Sequence, residues 1–345
     1  MLSALFGALL ALWWAVLAPQ STLSPLAASP TLTASTSPTV TLAAVGDLMM
    51  ARSMGYALQR SPADTPFAAV AAWLRAADVT VGNLECALGV AGRPGAKSYT
   101  FRGPPAAADA LRDAGFDVVS LANNHSLDYG EAAQVETLAF LDAAGIAHVG
   151  SGRDEAAAYA PVFIKARGLR LAFLGYVNVP VEFNGFDTAR WRAVGEKAGL
   201  AWAEPARIAA DVATARAQAD LVIVLLHAGY EGRTTPNAVQ RANAYAAIDA
   251  GAALVLGAHP HVLQGVEQYH GGWIVYSLGN FVFDGFTGVS NESAILFVTL
   301  GRSGVEALAW KPVVIRNGRP HLAADSTAAA IRRRIERLSA ALAPR

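Results

Sequence analysis

Short apolar runs, each ending in a carboxylate, an amide or an imidazole, constrain this chain more than any other feature. Thr39 to Val45 runs into Gly46-Asp47, Val79-Thr80-Val81 into Gly82-Asn83-Leu84-Glu85, and Val118 to Leu121 into Ala122-Asn123-Asn124-His125. Leu221 to Leu226 stops at His227, and Ala253 to Leu256 stops at Gly257, ahead of His259-Pro260-His261. Continuous β-branched and aliphatic runs bounded by turn residues read as strands covered on both faces. Helical stretches separate them: Met49 to Gln59, Phe67 to Ala76 after Pro66, Pro104 to Ala114, Tyr129 to Ala144, Glu204 to Ala219 and Pro236 to Ala250. Strands alternating with helices give parallel strands. Ala294 to Leu300 and Ala307 to Ile315 follow one another directly and add antiparallel ones, as does a hairpin from Val162 to Val177 turning at Arg167-Gly168. The chain is expected to be an α/β layered fold. Ligands of such sheets bind beyond the carboxyl ends of the strands. All five polar clusters fall there.

A chain of 345 residues that is 53% hydrophobic and 16% charged can bury a sizeable core. Zero formal net charge removes the electrostatic ground for a nucleic-acid partner. Cys86 is the only cysteine, so neither an intrachain disulfide nor a thiolate cluster is available. The first charged side chain is Asp47. Residues 1–18 contain an apolar run, Leu2 to Ala18, shorter than the ~20 residues of a membrane-spanning helix. No Lys or Arg precedes it and no clean small-x-small site follows, so a cleaved signal peptide and a retained membrane anchor both stand. Residues 19–40, rich in Ser, Thr and Pro, read as a tether, 41–320 as the folded domain, and 321–345 as a C-terminal, solvated basic helix. The expected location is extracytoplasmic: periplasmic or at the cell surface, secreted or anchored.

The clusters supply carboxylate, amide oxygen and imidazole without sulfur, a donor set for one or two divalent transition metal ions among Zn, Mn, Fe, Co and Ni. On a regular strand His259 and His261 would point to opposite faces. The rigid Pro260 bend can turn both inward. The loop from Gly89 to Pro105 carries Arg93, Lys97 and Arg102 and no acid, which suits steering of a carboxylate- or phosphate-bearing polymer, with Arg102 offering a bidentate contact. Pro180 to Gly199 lacks periodicity and reads as an insertion over the site. Asp128, with Glu131 three residues on, fits an N-cap for the following helix; its second possible role is to orient His125.

Seven motifs in order, GDLMMAR, GNLE, KSYTFRGPP, LANNHSLDYG, HAGYEG, GAHPHVLQ and YSLGNFVFD, span Ala44 to Asp284. The set resembles the bacterial CapA family of capsule or poly-γ-glutamate synthesis proteins, within the calcineurin-like metallophosphoesterase superfamily. That resemblance implies a four-layer α-β-β-α sandwich with metals at the strand ends. By position, it makes Asp47 and His261 ligands of a first metal, Glu85 the bridging carboxylate, and Asn124, His227 and His259 ligands of a second. His125 takes the place of a general acid or transition-state stabiliser. Glu231, in an H-x-G-x-E element, would orient a ligating histidine or act as a base, and Asn280, in SLGN, would hydrogen-bond a ligand. One departure stands out: Met49 occupies a place where many superfamily phosphatases carry a histidine. The function implied is metal-dependent cleavage or transfer at a phosphoester or amide bond of an anionic extracellular polymer such as poly-γ-glutamate, alongside membrane proteins of capsule synthesis. The alternative is a non-enzymatic assembly or export factor that keeps the metal-binding fold, and Met49 favours it.

Overall fold

Val40–Leu48 is the strand on which the body is assembled. The computed structural model describes residues 38–182 and 184–342; the expected signal or anchor, and nearly all of the expected tether, lie outside them. Val40–Leu48 pairs in parallel with Val79–Leu84, Asp47 opposite Asn83, and antiparallel with Glu292–Gly301, Val40 opposite Leu300. The sheet runs, edge to edge, Arg319–Leu322, Gly304–Arg316, Glu292–Gly301, Val40–Leu48, Val79–Leu84, Val118–Ser120, Ala147–Val149. Asn280–Val282 pairs with the carboxyl end of Val40–Leu48. A second sheet runs Val266–Tyr269, Gly272–Val275, Leu254–Ala258, Leu221–Ala228, Leu169–Asn178, Val162–Ala166. In the first sheet parallel strands run from Val40–Leu48 to one edge and antiparallel ones to the other; in the second, parallel strands are central and an antiparallel one flanks them at each edge.

The two sheets meet through Leu42, Ala44 and Val81 on one side and Leu171, Phe173 and Ile223 on the other, all buried. Burying each large aliphatic or aromatic side chain contributes about 1.5–3 kcal/mol. The outer face of the first sheet is covered by Arg52–Arg60, Ala106–Ala114 and Gly130–Ala144, which bring down Met54, Leu58, Leu111 and Leu138. Pro205–Arg216 and Ala238–Asp249 cover the second sheet with Ile208, Val212 and Ile248. This is the four-layer α-β-β-α arrangement that the family resemblance implies, and it explains the unbroken apolar runs: each central strand has no wet face.

Three strands are entered through the same device. Asp78 donates its backbone N–H to Thr41 O at 2.9 Å and accepts the Thr41 N–H on its carboxylate at 2.9 Å. Asp117 does the same with Thr80, at 2.9 and 2.7 Å, and Asp220 with Arg170, at 2.8 and 2.8 Å. Each aspartate precedes its strand and pins the neighbouring strand's register at the end remote from the site. The turn at Arg167-Gly168 forms as expected, both residues at positive φ (45° and 79°).

Three expectations change. The helix after Asp128 begins at Gly130 without a side-chain cap, because the Asp128 carboxylate is engaged elsewhere. The stretch from Phe67 to Ala76 holds only a four-residue helix, Ala71–Leu74, after a run of turns. The C-terminal helix, Asp325–Ala340, is not merely solvated. Ile331 and Ile335 dock on Leu263, just beyond the His259-Pro260-His261 turn, with Trp310 beside them.

Candidate metal centre

The His259-Pro260-His261 turn leaves Leu254–Ala258 with His259 at φ 94° and His261 at φ 56°. Such angles are rare outside glycine and cost of order 1–3 kcal/mol each, so the surroundings must enforce them. They do. Gly232 donates its backbone N–H to Pro260 O at 2.8 Å. At Gly257 the adjoining backbone comes so close that a Cβ would lie 1.9 Å from Tyr276 O. Both imidazoles therefore face one space, their centroids 5.9 Å apart, and His227, from the end of Leu221–Ala228, adds a third with its centroid 4.8 Å from His259.

Asp47 and Glu85 enter from the other sheet, wholly buried. The Asn83 amide donates to Asp47 Oδ1 at 2.8 Å and sits 3.1 Å from His227 Nδ1; the His259 backbone N–H reaches Asp47 Oδ2 at 3.3 Å. His261 Nδ1 lies 2.8 Å from Asn280 Oδ1 and 3.3 Å from Asp47 Oδ2. Glu85 differs from all of these. Neither of its oxygens has a hydrogen-bond partner among the described residues, and His259 Nδ1 has none either. Glu85 Oε1 instead faces His227 Nε2 at 3.7 Å and His261 Nε2 at 3.8 Å. Burial, then the adjacent Asp47 charge, pushes the Glu85 carboxyl well above the usual range. Burial, then the neighbouring imidazoles, holds His227 and His259 well below the usual imidazole value, which keeps both neutral. Burial acts the same way on His261, but the Asp47 contact outweighs it and its pKa is raised. A buried carboxylate without a hydrogen-bond partner among the described residues is unfavourable without a cation and suited to one.

Ligand atoms of Glu85, His227 and His259 lie within 4.8 Å of one another, as do those of Asp47, Glu85 and His261. Glu85 is common to both sets. Asn124 Oδ1 joins the first, 2.9 Å from His227 Nε2. All six residues expected to ligate metal thus converge, and two sets sharing one carboxylate could hold two ions. Met49 is wholly buried in the hydrophobic core and offers no donor.

Asn124, His125, Asp128 and Lys97 form one buried network. Asp128 Oδ2 faces His125 Nδ1 at 2.7 Å and accepts the Phe101 N–H at 2.6 Å, and Lys97 Nζ lies 2.5 Å from Asp128 Oδ1. Lys97 also reaches the Asn124 carbonyl and Glu182 Oε1, the latter at 2.8 Å, and its ammonium sits 4.8 Å from the centre of the Trp191 ring. Glu182 accepts the Asn124 amide N–H at 2.9 Å, which aims Asn124 Oδ1 at His227. Glu182 and Trp191 belong to the expected insertion, which does close over this edge of the site.

The expected substrate contacts are rearranged. Lys97 has none of its side chain exposed and is a structural counter-charge. Arg102 is spent on Val90 O and Ala91 O, at 3.0 and 3.1 Å, and on the Tyr129 ring at 4.1 Å, where it fastens the loop. Asn280 is wholly buried and orients His261 instead of facing a ligand. Arg93 is exposed on the loop. Glu231 is exposed at the mouth and lines a cavity of about 210 Å³ with His125, His261, Arg52, Tyr99, Phe101, Phe283 and Phe286. Sequence reasoning passed over Asn83, Glu182, Arg52 and these aromatic walls. Asn83 sits inside the GNLE motif and was findable there; Glu182 carries no local signal.

The profile of the family described as Bacterial capsule synthesis protein PGA_cap matches residues 41–285. The Capsule biosynthesis protein CapA of Bacillus anthracis is 32% identical over 289 residues, covering 81% of this chain and 69% of that relative. The PGA biosynthesis protein CapA of Bacillus subtilis is 32% identical over 279 residues, covering 80% and 72%. In fold, the chain is similar to a phosphatase from Mycoplasma pneumoniae, with a TM-score of 0.50 at 13% identity, over 81% of this chain and 94% of that one. The profile takes in every residue of the cluster, the relatives cover most of the chain, and the chain belongs to the PGA_cap family of bacterial capsule synthesis proteins.

Proposed function

We propose that the chain is an exported, metal-dependent hydrolase that acts on an anionic capsule polymer such as poly-γ-glutamate, cleaving or transferring at an amide or phosphoester bond. The observation that carries this reading is Glu85: a buried carboxylate with no hydrogen-bond partner among the described residues, facing imidazoles at the meeting point of both sheets. Asp47, Glu85 and His261 would hold one divalent ion, and Glu85, Asn124, His227 and His259 another. Ions there supply Lewis acidity toward a phosphoryl or carbonyl oxygen and lower the pKa of water. Around them the chain does the rest. Asp128 fixes the His125 ring through Nδ1, so that Nε2 is left to hand a proton to the leaving atom. Phe101, 4.3 Å from His125 between ring centres, walls that edge of the cavity. The names of the relatives support capsule or poly-γ-glutamate biosynthesis as the setting, and the apolar run before the folded domain supports export.

Purified protein, analysed for bound metal and offered poly-γ-glutamate and phosphoester substrates, tests this. Expected are bound transition metal, turnover lost on chelation, and a His125→Ala variant that keeps its metal while losing about 10²–10⁴-fold in rate. Metal without turnover on either bond would leave the second reading, an assembly or export factor, which the donor-free Met49 favours. Metal-free protein unable to take up Zn or Mn would end both.

A further inference from the structure

We propose that Glu231 is a metal ligand, a carboxylate that joins His261, a member of the Asp47–Glu85–His261 set, from the solvent side. The inference rests on the metal-centre reading above and adds a ligand to it. Three observations lead there. A carboxylate oxygen of Glu231 and one ring nitrogen each of His259 and His261 lie within 4.8 Å of one another. Two donors on one ion at about 2.1 Å are at most about 4.2 Å apart, so bringing Glu231 and His261 onto one ion takes a sub-ångström shift of an exposed side chain. Next, the loop that carries Glu231 is fastened to the histidine turn itself, through the Gly232 N–H on Pro260 O at 2.8 Å. The Glu231 carboxylate, in contrast, makes no ion pair or hydrogen bond with any other described residue, although it stands beside two imidazoles.

Charge and vacancy of donors point the same way. Two divalent ions carry four positive charges, and the buried donors nearest them bring two negative ones, Asp47 and Glu85, the third buried acid, Asp128, being matched by Lys97. A third carboxylate at the rim reduces the excess. Met49, packed into the hydrophobic core, adds nothing to the Asp47–Glu85–His261 set. The cavity at the mouth is lined by Glu231 and His261 together.

The test is calorimetric titration of the full, chelator-stripped protein with Mn²⁺, paired with electron paramagnetic resonance of the loaded protein to detect coupling between two Mn²⁺ ions. Wild type is expected to take up two ions. Glu231→Gln should keep the tighter ion, weaken the other about 10–100-fold or more, and lose the coupled signal. Glu231→Asp, which keeps the charge but withdraws it by one methylene, should also weaken that ion. Wild-type affinities in Glu231→Gln overturn the proposal. So does full affinity in Glu231→Asp with a weakened Glu231→Gln, since Glu231 would then act only as a nearby charge. Wild-type protein that binds no Mn²⁺ fails at the underlying metal-centre reading, a result distinct from either.

Discussion

Lys97 lies between Asp128 and Glu182 with none of its side chain in contact with water. Removing one partner from a buried charge group leaves the others desolvated and unpaired, at a cost of about 3–5 kcal/mol. Lys97→Met is therefore expected to lower the unfolding free energy by that amount in urea titration, while Arg93→Gln, on the exposed part of the same loop, stays within about 0.5 kcal/mol. A loss below about 1 kcal/mol for Lys97→Met would mean the two acids find solvent once the lysine is gone. The same residue marks what sequence can and cannot reveal. A loop with three cations and no acid reads as an anion clamp because the compensating acids are far along the chain, Asp128 31 residues on. Asp128 itself reads as a helix cap, since a capping aspartate and a histidine-orienting one look alike until the partner is known. Metal-type donors were legible for a different reason: each terminates its own apolar run, and that needs no tertiary knowledge.

Strands, more than helices, set the precision of the site. Asp78, Asp117 and Asp220 each close a reciprocal pair with the neighbouring strand, yet the first two titrate in opposite senses. Burial raises the Asp78 carboxyl, but the Thr41 N–H and Arg167 outweigh it and the pKa is lowered. Its contribution to stability is thus present above the ordinary value of about 3.9 and lost as pH falls through the lowered one. For Asp117 burial outweighs the Thr80 N–H and the pKa is raised. Stability linked to that group is present when it is protonated and lost as pH rises through the raised value. Asp78→Asn should then cost about 1 kcal/mol or less at pH 7, given solvent screening, and nothing near pH 2. Asp117→Asn, which keeps an acceptor for Thr80, should be neutral to stabilising at pH 7. Thermal melts at both pH values check the pair; equal losses at pH 7 would contradict it. The long central strands were readable as apolar runs, whereas Ala147–Val149 and Asn280–Val282 are too short to show a pattern.

Across the whole molecule, the donors divide between the sheets: Asp47, Glu85 and Asn124 come from one, His227, His259 and His261 from the other. An ion bound by both would tie the two layers together at one end. At 100 times its dissociation constant it would add about 2.7 kcal/mol. For a body of this size that is roughly 4 °C in melting temperature. Differential scanning calorimetry with chelator and with excess Zn or Mn reads this directly, and a melting temperature indifferent to both would mean the core alone joins the layers. The pairing order of fourteen main-sheet strands was beyond sequence reasoning, because it is fixed by contacts between distant segments.

Val40–Leu48 also has a direction. Its last turn of residues holds Asp47, and its first residue follows the chain's entry at Pro38. Seven steps at about 3.3 Å separate Val40 from Asp47, about 23 Å in all. Whatever precedes Pro38 therefore joins the body at the pole opposite the strand ends. A tag or surface linker attached ahead of Pro38 would thus meet the body about 23 Å from the donors and leave the cavity over them open.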